Sequence, residues 1–276
     1  MQNTDEIDKL YQASETEYEK KDIPYVAPSQ TADTLFNFVK ERKFLEDAIR
    51  SKKLSARYCK ENIEYLHLGI KEIAFPMKCF CDINMHKLEE HLSWYGYYGI
   101  AFSKKWGMEQ GIQPLQYINP ESELCKEYGL AFKDALRNND KEYQKLRDYI
   151  ALQLMYLKPY SGPFKNRITG RPQNKCFTDE CEWRFVADVT ALEMEEIITD
   201  PIKMAEGVLL LMSNSLNGRE EASLSFEYKD IKYIILEDIS DYNAFLEFIE
   251  NLDIENEYKK LLISKLLVWS EAKGDF

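Results

Sequence analysis

The chain has 276 residues, 45% hydrophobic, 13% aromatic and 30% charged, with 18 Tyr and a formal net charge of -12. That size and aromatic load suit a packed core rather than a disordered chain, and no apolar run is long enough to span a membrane. The acidic balance argues against nucleic acid as a partner, because broad capture of a polyanion needs a basic face. Six Cys in so long a chain are not a disulfide framework, and the polar, acidic beginning is unlike a signal peptide, so a cytoplasmic location is expected.

Residues 1–30 read as a polar acidic extension closing on Ala27, Pro28 and Ser29, and residues 31–276 as a single domain. Phe44, Leu45, Ala48 and Ile49 predict an amphipathic helix near 41–52. Residues 73–80 predict a strand in which Pro76 forces an edge or a bulge. Asp82 is expected to cap a short helix over 86–94, followed by strands at 98–103 and 115–118. From 121 to 157 the pattern is helical, with Tyr143, Leu146, Ile150, Leu154 and Leu157 on one face. The Pro-, Gly- and base-rich stretch 158–176 reads as a long functional loop.

Residues 183–189 predict a strand, and Thr190 with Glu193 a capping box opening a helix to Ile198. The apolar run 207–212 fits a strand or a helix start. Strands are expected at 224–228 and 231–236, then a helix capped by Asp241, then a last helix carrying Leu261, Leu262, Leu266, Leu267 and Trp269. Without regular βαβ alternation the fold class is α+β, a mixed, mostly antiparallel sheet flanked by helices.

Chemically distinctive residues crowd residues 75–117, where Cys, His, Trp, Tyr and Gly cluster. Cys79 and Cys81 lack zinc-site spacing and suit a core, and His86 and His91 do not share a helical face, so no metal site is expected. Tyr95, Tyr97 and Tyr98 suit core packing or the lining of an aromatic pocket, while Gly96 and Gly99 permit close backbone approach. Phosphate-loop, dinucleotide and nucleophile-elbow motifs are missing. Two basic clusters, Lys52, Lys53, Arg57 and Lys60, and Lys165, Arg167, Arg171 and Lys175, read as solvated faces, with a local basic groove as the alternative. The best candidate for chemistry is the string DECEWR at 179–184. There Glu180 and Glu182 would face one side with Arg184, either as proton-sharing carboxylates or as an ordinary ion pair.

These residues resemble the AbiGi family of abortive phage-resistance proteins. The likeness is carried by Phe75, Pro76, Met77, Lys78, Cys79, Phe80, Cys81 and Asp82, then His91, Tyr95 and Gly96. It continues through Gly99, Ile100, Ala101, Phe102, Ser103, Lys104, Trp106, Gly107, Pro114 and Tyr117, with Glu180, Glu182, Trp183 and Arg184 downstream. It covers residues 34–250 and implies a role in anti-phage defence, with members labelled as antitoxins. A weaker resemblance to DarT-type ADP-ribosyltransferases implies a fold of that type and NAD as cofactor. In that alignment Asn37 stands where a His is expected and Val39 where a Thr is expected.

Two functions follow. One is a defence protein that regulates or neutralises a protein partner, a toxin or a phage component. The alternative is an NAD-dependent ADP-ribosyltransferase-like effector. In it Glu182, with Glu180, would be catalytic, and Arg57, Asn37 and Tyr95 would bind the cofactor. The residues themselves require no cofactor and leave open whether the protein is an enzyme. Both readings need residues 79–99 to meet the 180–184 strand at a shared pocket.

Overall fold

The structure, a computed structural model, describes residues 24–137, 140 and 143–275. The expected extension before residue 24 lies outside the described residues. In chain order come β1 (Thr34–Val39), α1 (Arg42–Ser51), β2 (Lys53–Ser55), β3 (Arg57–Asn62), β4 (Glu72–Cys81), α2 (Leu88–Tyr95) and β5 (Tyr98–Ser103). Next are α3 (Lys104–Glu109), β6 (Gln113–Pro114), β7 (Gln116–Ile118), α4 (Glu123–Arg137), α5 (Gln144–Met155) and β8 (Leu157–Pro159). Then follow β9 (Ser161–Lys165), β10 (Pro172–Cys176), β11 (Glu182–Val186), α6 (Glu206–Ser215) and β12 (Ser223–Ser225). The last are β13 (Ile231–Leu236), α7 (Ile239–Glu250), α8 (Asn256–Ile263), β14 (Leu266–Val268) and α9 (Trp269–Ala272).

The main sheet runs β14-β13-β5-β1-β4-β11-β6, with β3 also paired to β4. Its neighbours are antiparallel except β13 and β14, so the α+β reading holds. Strand periodicity builds two cores from adjacent residues. Leu35, Phe80, Phe102 and Ile234 join Leu45, Ile49, Phe245 and Leu262 from α1, α7 and α8 in one cluster. Their chain neighbours Phe36, Cys81, Ala101 and Ile235 join Leu88, Leu92 and Trp269 on the other side. Farther along β4, Ile73, Phe75 and Met77 pack with Phe132 and Leu154 of α4 and α5.

One edge of β4 is shared. β3 pairs along it from Glu72 to Met77, and β1 meets it at Cys81. Lys78, Cys79 and Phe80 lie between the two pairings, where β1 and β3 diverge and the sheet forks. Asn37, buried in β1, bridges the gap by donating from Nδ2 to the Cys79 carbonyl at 2.8 Å.

Pro76 makes neither an edge nor a bulge on the β3 side, where the ladder runs unbroken past Tyr58. The Tyr58 N–H turns away from β4 to the Ser213 hydroxyl, so Pro76 sits where no N–H is needed. Its carbonyl accepts from Ala187 N on the other side, just past β11, and Ile198 then exchanges two backbone bonds with Ala74. That pairing also explains why 190–198 is not a helix. A 3-10 turn over Thr190–Leu192 stops at Glu193, whose φ of 54° is left-handed, and the chain turns to run along β4.

Other expectations change for similar reasons. Residues 158–176 are not a loop: β8 pairs in parallel with β7, and β9 with β10 forms a hairpin. Tyr143 and Leu146 are exposed while Ile150 and Leu154 are buried, and Leu157 belongs to β8 rather than the helix. Residues 207–212 are helical, within α6. Asp238, not Asp241, caps α7 by accepting from Ser240 N and Asp241 N. Asp241 instead receives Arg42 at 3.0 Å and the Tyr98 hydroxyl at 2.9 Å. The expected last helix splits, because Leu266–Val268 adds a parallel strand to the open edge of β13. Asp82 does not cap a helix; it pairs with buried Lys104 at 2.6 Å.

Gly96 follows α2 at φ +115°, and a Cβ there would sit 2.5 Å from the Val39 carbonyl oxygen. Gly96→Ala is expected to cost about 1–3 kcal/mol in urea denaturation. Gly69→Ala, at φ +86° with nothing within 4 Å, is expected to cost less. Equal losses would show that the contact with β1 does not matter.

Candidate functional site

The fork opens into a cavity of about 820 Å³. Asn37, Arg57, Tyr95, Glu180 and Glu182, the five candidate residues from the sequence, all line it. The block around Cys79 and the 180–184 strand do meet, since Glu182 pairs with Cys81 and Arg184 with Cys79 in the β4–β11 ladder.

Its floor is a buried ion network. Glu182 and Arg184 project to one face of β11, as strand alternation requires. Glu180 lies in a 3-10 turn, and Cys181, left-handed at φ 41°, turns the chain so that both carboxylates reach one lysine. Lys158 Nζ lies 2.7 Å from Glu180 and 2.6 Å from Glu182. Arg184, with no exposed surface, donates to Glu182 Oε1 at 2.8 Å, to Glu61 at 3.1 Å and to the Met155 carbonyl at 2.6 Å. Lys175 reaches Glu180 at 2.8 Å, and the Tyr95 hydroxyl donates to the same oxygen. The backbone N–H of Glu182 donates to the Tyr117 hydroxyl at 2.9 Å.

The charges are mutually fixed. Burial alone would raise the Glu182 carboxyl, but Arg184 and Lys158 overcome it and hold that group well below the usual carboxylate range. Glu180 is likewise lowered: burial and Glu182 push it up, and the Lys158 and Lys175 charges prevail. Burial would lower the Lys158 ammonium, yet Glu182, Glu61 and Glu180 together raise it. Both oxygens of Glu182 are occupied, Oε1 by Arg184 and Oε2 by Lys158. The pair is therefore an ionised, hydrogen-bonded wall rather than two carboxyls sharing a proton.

Above the network stand rings and unpaired cations. The His91 and Tyr95 rings lie 4.6 Å apart, His91 and Phe38 5.7 Å apart, and the Arg167 guanidinium sits 5.2 Å over Tyr95. Burial pushes the His91 imidazole down to about 4, so it is neutral near pH 7. Lys175 lies 4.5 Å from both the Trp94 and Tyr95 rings and so ties the β9–β10 hairpin to α2. Tyr97 and Tyr98 do not join the pocket; their hydroxyls go to Glu89 and Asp241.

Four cations lining the cavity, Lys40, Arg57, Lys78 and Arg167, have no carboxylate partner among the described residues. The carboxylates there are already matched: Asp47 to Arg50, Glu61 to Arg184, and Glu180 and Glu182 within the network. The cavity is thus locally positive in a chain of net charge -12. The two basic clusters partly converge here, since Lys53, Arg57 and Lys60 meet Arg167 around one opening, as the local-groove alternative requires. Sequence reasoning missed Lys158, Lys78 and the ring of Phe164. Nothing in chain spacing ties Lys158 to carboxylates 22 and 24 positions later; only the β8 and β11 placements do. Among the described residues no group of three or more His, Cys, Asp or Glu side chains is placed to hold a metal ion, and no helix is long and apolar enough to cross a membrane.

Fold and site together define an α+β protein with a forked sheet and a basic, ring-lined cleft over a buried ion network. The chain belongs to the AbiGi family: residues 52–237 match the family model described as "Putative abortive phage resistance protein AbiGi, antitoxin". It is also 32% identical over 245 residues to the abortive phage resistance protein AbiGi of Lactococcus lactis subsp. cremoris, covering 80% of this chain and 98% of that protein. No solved structure gives a significant match.

Two outcomes test the site. Lys158→Met leaves Glu180 with Lys175 alone and Glu182 with Arg184 alone, and is expected to lose about 3 kcal/mol in chemical denaturation. A smaller loss in Lys158→Met with Glu182→Gln would confirm the coupling. As pH falls from about 6.5 to about 4, the unfolded chain takes a proton at His91 before the folded chain does, so stability drops over that window. Melting temperatures of His91→Phe between pH 7 and pH 4.5 should fall less than those of the unaltered protein.

Proposed function

We propose that this protein acts in abortive-infection defence and that the fork cavity is its working site, binding an anionic, ring-bearing ligand of the nucleotide class. The observation that carries the reading is the set of four cations without carboxylate partners beside the Tyr95, His91, Phe38 and Phe164 rings. A planar guanidinium such as Arg57 or Arg167 suits a phosphate, and the rings suit a base. The family description and the Lactococcus relative's name support the defence role.

The antitoxin wording of that description supports a second part of the reading, regulation or neutralisation of a protein partner. Leu146, Tyr149 and Leu152 on α5, with Leu130 and Leu136 on α4, are exposed apolar residues on one helical pair and offer a surface for such a contact. The NAD-dependent transferase reading draws on the same cavity and on Glu182, but it is weaker. A carboxylate with both oxygens held by Lys158 and Arg184 is poorly placed to receive a proton or a new bond.

Calorimetric titration with AMP and ADP-ribose tests the cleft. Arg57→Ala and Arg167→Ala are each expected to weaken binding about tenfold, about 1.4 kcal/mol, and added salt should weaken it further. Affinity unchanged in both variants, or no binding of either nucleotide, would overturn the reading. In cells, phage plating should rise on a strain carrying folded Arg57→Ala.

A further inference from the structure

Lys78, half-buried, stands apart from the other lysines drawn into the fold. Lys104 is paired with Asp82 at 2.6 Å, Lys158 with Glu180 and Glu182, and Lys175 with Glu180 at 2.8 Å. Lys78 lines the cavity with no carboxylate or hydrogen-bond partner among the described residues. It belongs to the stretch of β4 that neither β1 nor β3 covers, at the base of the fork. Arg57 of β3 pairs with the preceding residue, Met77, and its charge is felt at the Lys78 amine across the gap in the sheet. Cys59 of β3 and Cys79 of β4 are the other titratable groups beside it.

We propose that the fork holds a reactive amine, with Lys78 forming an imine with an anionic, ring-bearing carbonyl compound that enters the cavity. This rests on the cleft being an anion-binding site. The neutral amine adds its lone pair to the carbonyl carbon, and the carbonyl oxygen takes up protons. The carbinolamine then loses water as the C=N bond forms; amine and carbonyl give imine and water, with no electron transfer. Arg57 would hold the anionic group at the gap where β1 and β3 diverge.

Burial brings the Lys78 ammonium down to about 8; the Arg57 charge adds to this, against opposing pulls from Cys79 and Cys59. Roughly a tenth of the amine is then neutral at pH 7, far more than for an ordinary lysine.

Pyridoxal 5'-phosphate, a phosphorylated aromatic aldehyde, is a direct probe. The intact protein is incubated with one equivalent, reduced with borohydride, which turns the imine into a stable secondary amine, and mapped by peptide mass. The expected result is a single label on Lys78, a labelling rate that rises through about pH 8, and a tenfold or greater loss in Lys78→Arg. Pyridoxal without the phosphate should label at least tenfold more slowly, and Arg57→Ala should remove that advantage. Label spread over exposed lysines, or an unchanged total in folded Lys78→Arg, overturns the proposal. Should Lys78→Arg not fold, the peptide map of the unaltered protein decides alone. AMP binding by the unaltered protein separates the two readings. Binding with no label on Lys78 sinks the amine proposal only. Label on Lys78 with no AMP binding sinks the nucleotide reading and leaves the amine standing.

Discussion

The shared edge of β4 is the constraint on which the rest depends. Two strands compete for one row of backbone groups, β3 along the first part and β1 at the end, and neither covers residues 78–80. A sheet that closed there would be solid and would leave no cavity. Because it forks, backbone and side chains of β4 line a space reached from β1, β3, α2 and the β9–β10 hairpin. Asn37 holds the fork by satisfying the Cys79 carbonyl, so a residue first considered for ligand binding has at least a structural duty.

The ion network explains how so many charges are tolerated under that cavity. Taking Arg184, Lys158, Glu180 and Glu182 out of water is costly, and only reciprocal contacts offset it. Each carboxylate meets two cations, and Arg184 also bonds a backbone carbonyl. The internal pairing neutralises the acidic groups of the site and leaves the cations above them uncompensated. An acidic protein therefore carries a positive cleft, which bulk charge does not reveal.

The family assignment and the geometry speak to different levels. Membership of AbiGi places the chain among phage-resistance proteins. The cavity, its rings and the Lys78 amine are features of this chain's own geometry, on which the proposed ligand binding rests. The exposed apolar residues of α4 and α5 lie on elements outside the cavity lining, so ligand binding and partner contact can occupy separate surfaces.

The sequence by itself determined the elements whose signal is local. Alternation marked 98–103 as a strand, 231–236 also read as one, and spacing placed α1 within a residue or so, because side chains three or four apart must share a helical face. It also singled out Glu180, Glu182, Arg57 and Tyr95 as residues with chemistry to offer. Only the tertiary structure decided what depends on distant partners. Residues 266–268 became a strand because β13 had an open edge, and residues 193–198 left the helix pattern because Ala74 offered backbone bonds. Lys158 became the hub of the site, and Lys78 remained unpaired, because strand order sets which charges meet, and long-range pairing leaves no period in the chain to read.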